Sequence, residues 1–267
     1  MTSLTVDTEV GPVSLERVGS GPDLVVLHSL LSDRHVFDPI VPALSERWTV
    51  HLVDLPGFGH TARVAPGIDR YAEVVGALLD AGGHDPETTS LLGNGLGAFV
   101  ALGTAVLHGD RFDRLVLAGC GAWFPEAAKE GFRTMIRRVS AGGMEAVLDV
   151  AVARIFTEEY LAAHPDAGED RRAVLRLTDP AAFADACRSL VDLDYRDEAP
   201  AISNRTLVVT GSDDAATPPA LGRDLATRIP GATYVEMPGV AHAPQLQDPD
   251  AFLDVILPFL DAGARRS

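Results

Sequence analysis

Short, mainly apolar runs recur along the chain, at 24–27, 49–55, 90–92, 115–118, 206–210 and 233–237, with every position apolar at 24–27. Runs of this length without alternation predict strands buried on both faces, as in a parallel sheet covered by helices. Residues 4–18 alternate loosely between apolar and polar, which predicts an exposed hairpin turning at Gly11-Pro12. Helices are expected between the runs, at 39–46, 69–79, 98–107, 218–228 and 248–260. Strands alternating with helices imply an α/β fold with a mostly parallel sheet. Right-handed crossovers then bring the loops after the strands to one edge, where such sheets bind ligands.

The rhythm breaks once. From Trp123 to about Ala201 the strand signal stops, and amphipathic helical segments follow at 125–139, 142–156, 168–177 and 180–190, separated by Gly142-Gly143 and Asp179-Pro180. The expected organisation is one core, residues 1–122 and 202–267, with residues 123–201 inserted as a helical cap over the edge of the sheet.

Between the strand at 90–92 and the helix at 98–107 lie Gly93-Asn94-Gly95-Leu96-Gly97. A strand entering a helix through so tight a turn is the setting of a nucleophile elbow, G-x-S-x-G, in which strained backbone holds a serine above the sheet. Here the middle position is Gly95, which has no hydroxyl. The same residues fit the dinucleotide fingerprint G-x-G-x-x-[G/A], but that motif calls for a carboxylate roughly 20 positions on, after the next strand. The strand at 115–118 ends instead in Gly119-Cys120-Gly121.

Length and composition narrow the function classes. The 267 residues are 46% hydrophobic, enough for one large core. A formal net charge of −16 argues against nucleic-acid or anionic-membrane partners, while leaving room for a small anionic substrate held by local arginines. Two distant cysteines form neither a disulfide framework nor a metal pattern. The N-terminus has no signal-peptide pattern, and no run approaches the roughly 18 apolar residues of a membrane span. The expectation is a soluble, cytoplasmic protein with no metal or organic cofactor.

Two later loops carry the chemistry. The strand at 206–210 ends in Gly211-Ser212-Asp213-Asp214, and the strand at 233–237 is followed by Gly239-Val240-Ala241-His242. Each glycine turn delivers a polar side chain to the active edge, in the order elbow, acid, histidine. In that order His242 is the general base and later acid, and Asp214 holds its imidazole.

Together with HSLLSDRHVFDP at 28–39, LLGNGLGAFVALG at 91–103, SAGGMEAVLD at 140–149, VVTGSDDAATPP at 208–219 and GVAHAPQLQDPDAF at 239–252, these features make the whole chain resemble the α/β-hydrolase superfamily. It looks most like the 3-oxoadipate enol-lactonase branch. The resemblance implies hydrolysis of a small lactone or carboxylic ester, an oxyanion hole formed by the backbone N–H groups of Leu30 and Leu96, and a substrate pocket shaped by the cap. It also sets Gly95 where the family has its nucleophilic serine.

Other residues receive lesser roles. Ser29 is a candidate substrate contact, although neither it nor Ser32 sits on a strained turn; Cys120 reads as a small buried filler. His28 and His60 read as hydrogen-bonded loop residues, and Asp213 as a solvated turn residue. Arg34 and Arg133 are candidate partners for a substrate carboxylate, and Trp123 and Phe132 candidate pocket walls. Gly95 then has three explanations. The chain is a Ser→Gly form of a serine lactonase or esterase; or it uses the His242–Asp214 dyad for water-mediated hydrolysis or proton-transfer chemistry; or it is a ligand-binding protein on a hydrolase fold.

Overall fold

The computed structural model describes residues 1–261; the last six residues of the second core segment lie outside that range. Eight strands are present among the described residues: β1 (Thr2–Thr8), β2 (Gly11–Val18), β3 (Asp23–Leu27), β4 (Thr49–Val53), β5 (Ser90–Asn94), β6 (Arg114–Ala118), β7 (Arg205–Gly211) and β8 (Thr233–Met237). They form one sheet in the order β1-β2-β4-β3-β5-β6-β7-β8. From β4 to β8 neighbouring strands run parallel, whereas β1 pairs antiparallel with β2, and β2 with β4.

The consecutive apolar runs are explained by burial on two faces. Val25, Leu27, Leu91, Leu115 and Leu117 point into a core shared with α2 (Ile68–Gly82) and α3 (Leu96–His108). Their neighbours Leu24, Val26, Leu92 and Val116 point the other way, against α1 (Val41–Ser45) and α11 (Pro249–Asp261). Successive side chains of a strand alternate in direction, so a strand covered on both sides needs apolar residues throughout. The remaining core helix, α9 (Pro219–Arg228), links β7 to β8, and α10 (Pro244–Gln247) precedes α11.

Five helices lie between β6 and β7: α4 (Glu126–Gly142), α5 (Leu148–Ile155), α6 (Glu158–Ala163), α7 (Pro165–Arg176) and α8 (Pro180–Val191). Helix α4 runs on to Gly142 and stops at Gly143, whose φ of +64° ends the helical path, so the segment expected at 142–156 begins only at Leu148. Helix α6 has no expected counterpart. Its signal is local: Thr157 accepts a hydrogen bond from the Tyr160 N–H, capping a short polar helix that buries none of its residues. No described helix is long and apolar enough to cross a membrane.

Two other expectations change. The hairpin turns at Glu9-Val10, because Thr8 already pairs with Gly11 and its hydroxyl donates to the Gly11 carbonyl at 2.6 Å. Gly11-Pro12 therefore opens β2, where proline's missing N–H costs least. The helix expected at 39–46 is shorter and follows a separate 3-10 turn at Arg34–Phe37, capped by the Asp33 carboxylate on the His35 N–H.

His28 and His51 are both buried within this frame. The ring of His28, fully enclosed, takes part in two bonds, Nδ1 with the Ser29 carbonyl at 2.9 Å and Nε2 as acceptor from the Leu55 N–H at 3.2 Å. His51 on β4 meets Asp23 at 2.7 Å, and His84 approaches the other carboxylate oxygen at 2.9 Å. These three residues place ligand-type atoms within 4.8 Å of one another, a grouping able to hold a metal ion and invisible in the sequence because it joins three separate elements. Burial is the largest influence on both His28 and His51, and it pushes each pKa below the ordinary 6.5.

A depressed histidine pKa means that the unfolded chain binds a proton the folded chain refuses. Stability is then complete above the unfolded value and falls as pH drops below it. The thermal midpoint is expected to decline on going from about pH 7.5 to about pH 5.5. A scan by circular dichroism checks this; a midpoint that holds or rises over the interval contradicts burial of neutral imidazoles.

Candidate active site

The floor of the site is the turn from β5 into α3. A Cβ on Gly93 would lie 2.3 Å from the Gly97 carbonyl oxygen, and one on Gly97 would lie 2.0 Å from the Leu27 carbonyl oxygen, so both positions exclude any side chain. That closeness lets the Gly97 N–H reach the His28 carbonyl at 2.9 Å and the Gly95 N–H reach Ala118 at 2.9 Å. Three adjacent strand ends are thereby bound to one turn. Gly95 itself has φ +53° and ψ −120°, a conformation that side-chain-bearing residues rarely adopt.

The acid and the histidine arrive from the next two loops. His242 Nδ1 lies 2.8 Å from Asp214 Oδ2, and both residues are buried. The other Asp214 oxygen accepts N–H bonds from Ala216 and Thr217, each at 2.8 Å. An ionised carboxylate so bonded holds the proton of the ring on Nδ1 and leaves the Nε2 lone pair free. Nε2 faces Gly95, 2.7 Å from the place a Cβ would take. An imidazole held in this way can accept a proton from an attacking oxygen. Asp213, its neighbour, is exposed.

Asn94 and Gln245 set the height of this histidine. The Asn94 side-chain amide donates to the His242 carbonyl at 2.8 Å and to Ala118 at 3.3 Å, while its own oxygen accepts from Gln245 at 3.0 Å. Neither residue stood out in the sequence. A polar residue within an apolar strand is the signal that could have found Asn94, since a buried amide has to be bonded.

Leu30 and Leu96 both border the site. Leu96 opens α3, where first-turn N–H groups have no intrahelical acceptor. The N–H groups of Gly97, Ala98 and Phe99 are bonded to His28 and Gly95. The amide of Leu96 therefore remains available beside Gly95.

Above the floor is a pocket partly open to solvent, walled by Leu31, Phe99, Phe124, Phe132, Met135 and Leu190. Phe124 packs between Phe99 and Phe132 with ring centres 5.0 Å apart on each side. Into this apolar space comes one guanidinium, Arg154 from α5. No carboxylate of the described residues lies within ion-pair distance of it, and burial lowers its pKa from the ordinary arginine value. A smaller pocket shares Ser29, Leu31 and His242 and is bordered by Arg171. Nη1 of Arg171 is buried without a hydrogen-bond partner.

Several expected site residues stand elsewhere. Arg34 is turned back by the 3-10 segment and bonded to Asp54 at 3.0 Å and Glu16 at 2.9 Å, so its charge is already neutralised. Arg133 lies on the outer side of α4 and pairs with Glu126 and Glu130. Trp123 is half-buried, with the Arg196 guanidinium 4.6 Å above its ring, and does not line the cavity. Ser29 and Phe132 do line it. Cys120 is fully buried, and burial raises its thiol well above the usual range.

Comparison with known proteins follows the same pattern. A model of the Alpha/beta hydrolase family matches residues 24–255. A pimeloyl-[acyl-carrier protein] methyl ester esterase of Aeromonas hydrophila is 33% identical over 261 residues, covering 93% of this chain and 99% of that protein. The crystal structure of the enol-lactonase from Burkholderia xenovorans LB400 superimposes with a TM-score of 0.89 at 28% identity, covering 96% of this chain and 99% of that one. A thermophilic esterase from Thermogutta terrifontis gives 0.88 at 25% identity, with 98% and 99% covered.

Residue 95 is now crowded as well as strained. A Cβ there would lie 2.4 Å from Ser29 Oγ and 2.7 Å from His242 Nε2. Gly95→Ala is expected to cost roughly 1–3 kcal/mol of stability through its positive φ. Urea unfolding of the two forms measures the difference; equal stabilities would remove the case for strain at the turn.

Proposed function

The chain belongs to the alpha/beta hydrolase family, and on that premise we propose that it hydrolyses a small carboxylic ester or lactone in the cavity beneath the inserted helices. The observation that carries this reading is the His242–Asp214 pair, buried and bonded at 2.8 Å with Nε2 directed at the floor of an apolar cavity. Removing an aspartate and an imidazole from water is costly unless they are paired. A protein that only bound a ligand has no use for that cost.

In this reading His242 takes the proton from the attacking oxygen and returns it to the leaving group, and Asp214 keeps the ring oriented and stabilises its charged form. The Leu30 and Leu96 N–H groups receive the negative charge that develops on the carbonyl oxygen. One such donor is worth about 3 kcal/mol of barrier. The inserted helices act as the cap: they supply Phe132, Met135 and Leu190 as apolar walls, and they limit the water around the reacting carbonyl.

Arg154 gives the substrate its polarity. A guanidinium without a carboxylate partner in an apolar wall is arranged for an anion from outside, and a carboxylate fits it bidentately. The proposed substrate is therefore a compact ester or enol-lactone bearing a carboxylate. Two unpaired, buried cysteines suit a reducing compartment, and the cytoplasm is the proposed location.

Because residue 95 has no hydroxyl, the attacking oxygen comes from elsewhere. The geometry favours a mechanism adapted to glycine over simple inactivation, since Ser29 and His242 both reach into the space a serine Cβ needs. Turnover of the unmodified chain on an enol-lactone and on a p-nitrophenyl ester is expected. Activity confined to Gly95→Ser would instead establish glycine as an inactivating replacement.

Two variants test the residues. His242→Ala is expected to lower kcat by roughly 10²- to 10⁴-fold, the usual range for a general base, and a His242→Ala enzyme as fast as the parent would end this assignment. Arg154→Ala is expected to raise KM about tenfold or more for a carboxylate-bearing ester while leaving a neutral ester little changed. Equal effects on both esters would show that the guanidinium has no part in substrate choice.

A further inference from the structure

The missing hydroxyl of the elbow has a neighbour. Ser29 follows β3, and its main chain is pinned by two bonds to its own carbonyl oxygen, from His28 Nδ1 at 2.9 Å and from the Ser32 hydroxyl at 3.2 Å. Its side chain is left without a hydrogen-bond partner among the described residues and borders both cavities. Ser29 Oγ lies 2.4 Å from the position of a Cβ on residue 95, and His242 Nε2 lies 2.7 Å from that same point. The hydroxyl and the base thus both border the notch that glycine leaves.

Among the described residues, no other nucleophile has this placement. The Ser32 hydroxyl is spent on the Ser29 carbonyl. Cys120 is enclosed and held as a thiol. Thr217 borders the cavity, but it lies in the loop after β7 with its own N–H tied to Asp214. The amides also suit Ser29. Leu30 directly follows Ser29 as Leu96 directly follows Gly95, and both residues line the cavity that Ser29 borders.

We propose that Ser29 is the catalytic nucleophile of this chain, its hydroxyl taking over from the loop after β3 the work that an elbow serine would do at position 95. The proposal rests on the reading of the chain as an ester or lactone hydrolase. Ser29 Oγ gives its proton to His242 Nε2 as the Oγ–C bond forms at the substrate carbonyl, and the resulting oxyanion sits between the Leu30 and Leu96 amides. Collapse breaks the bond to the leaving oxygen, which takes the proton from His242. Water then adds to the acyl-Ser29 ester, passing its proton to His242. The second collapse releases the carboxylic acid and returns that proton to Ser29.

The experiment is acylation by p-nitrophenyl acetate, with the adduct located by peptide mass spectrometry, in the parent chain, Ser29→Ala and Ser29→Cys. Folding of each is checked by circular dichroism. A burst of nitrophenol, an acetyl group on the peptide at Ser29, loss of both in Ser29→Ala with turnover reduced at least about 10³-fold, and a thioester adduct in Ser29→Cys are the expected results. Turnover by Ser29→Ala within about fivefold of the parent, or an acetyl group on another residue, overturns the role of Ser29 and leaves the hydrolase reading standing. Absence of turnover and of any adduct in the parent chain, on both an enol-lactone and the activated ester, overturns both.

Discussion

The close backbone approach at the turn after β5 organises this molecule. With no Cβ on Gly93 or Gly97, α3 starts directly against the ends of β3 and β5, and the Gly97 and Gly95 amides bond to the loops on either side. A methyl group at either position would sit on a carbonyl oxygen. From this contact follow the direction of α3, the placement of the Leu96 amide at its first turn, and the nearness of the loop that carries Ser29 and Leu30. The chemistry of the site is a consequence of how little room the turn leaves.

The second constraint is the cost of keeping polar groups out of water. Asp214 is tolerable where it is because each of its oxygens is bonded, one to His242 and the other to two main-chain amides. Asn94 and Gln245 complete the network by holding the carbonyl of the histidine. Arg154 stands apart from this pattern, a charge with no carboxylate beside it in a wall of phenylalanine, methionine and leucine. Within a chain of net charge −16, leaving one guanidinium unpaired inside an apolar cavity is a local arrangement that bulk charge does not reveal.

The same physics separates what could be read early from what could not. Asp214 and His242 were legible because each follows a glycine turn at the end of an apolar run, and that grammar survives in sequence. Arg34 and Arg133 looked equivalent to any other arginine near the site. Only the folded chain shows that Glu16 and Asp54 take the first and that the second faces outward on α4. Arg154 carries no such mark, because an amphipathic helix does not declare which neighbour its polar residue will meet.

What the sequence by itself determined is the α/β architecture, the hairpin before it, the helical block between two strands, and the strand ends from which the acid and the histidine project. Those features rest on local rules, since burial on two faces demands uninterrupted apolar runs and tight turns demand glycine. Tertiary structure alone decided which hydroxyl shares the pocket with His242, which arginine enters it, and which buried amide holds the histidine in place. These are meetings between residues far apart in the chain, such as Ser29 with His242 or Asn94 with Gln245. They depend on contacts of about 3 Å between separate elements, which side-chain type and spacing along the chain do not encode.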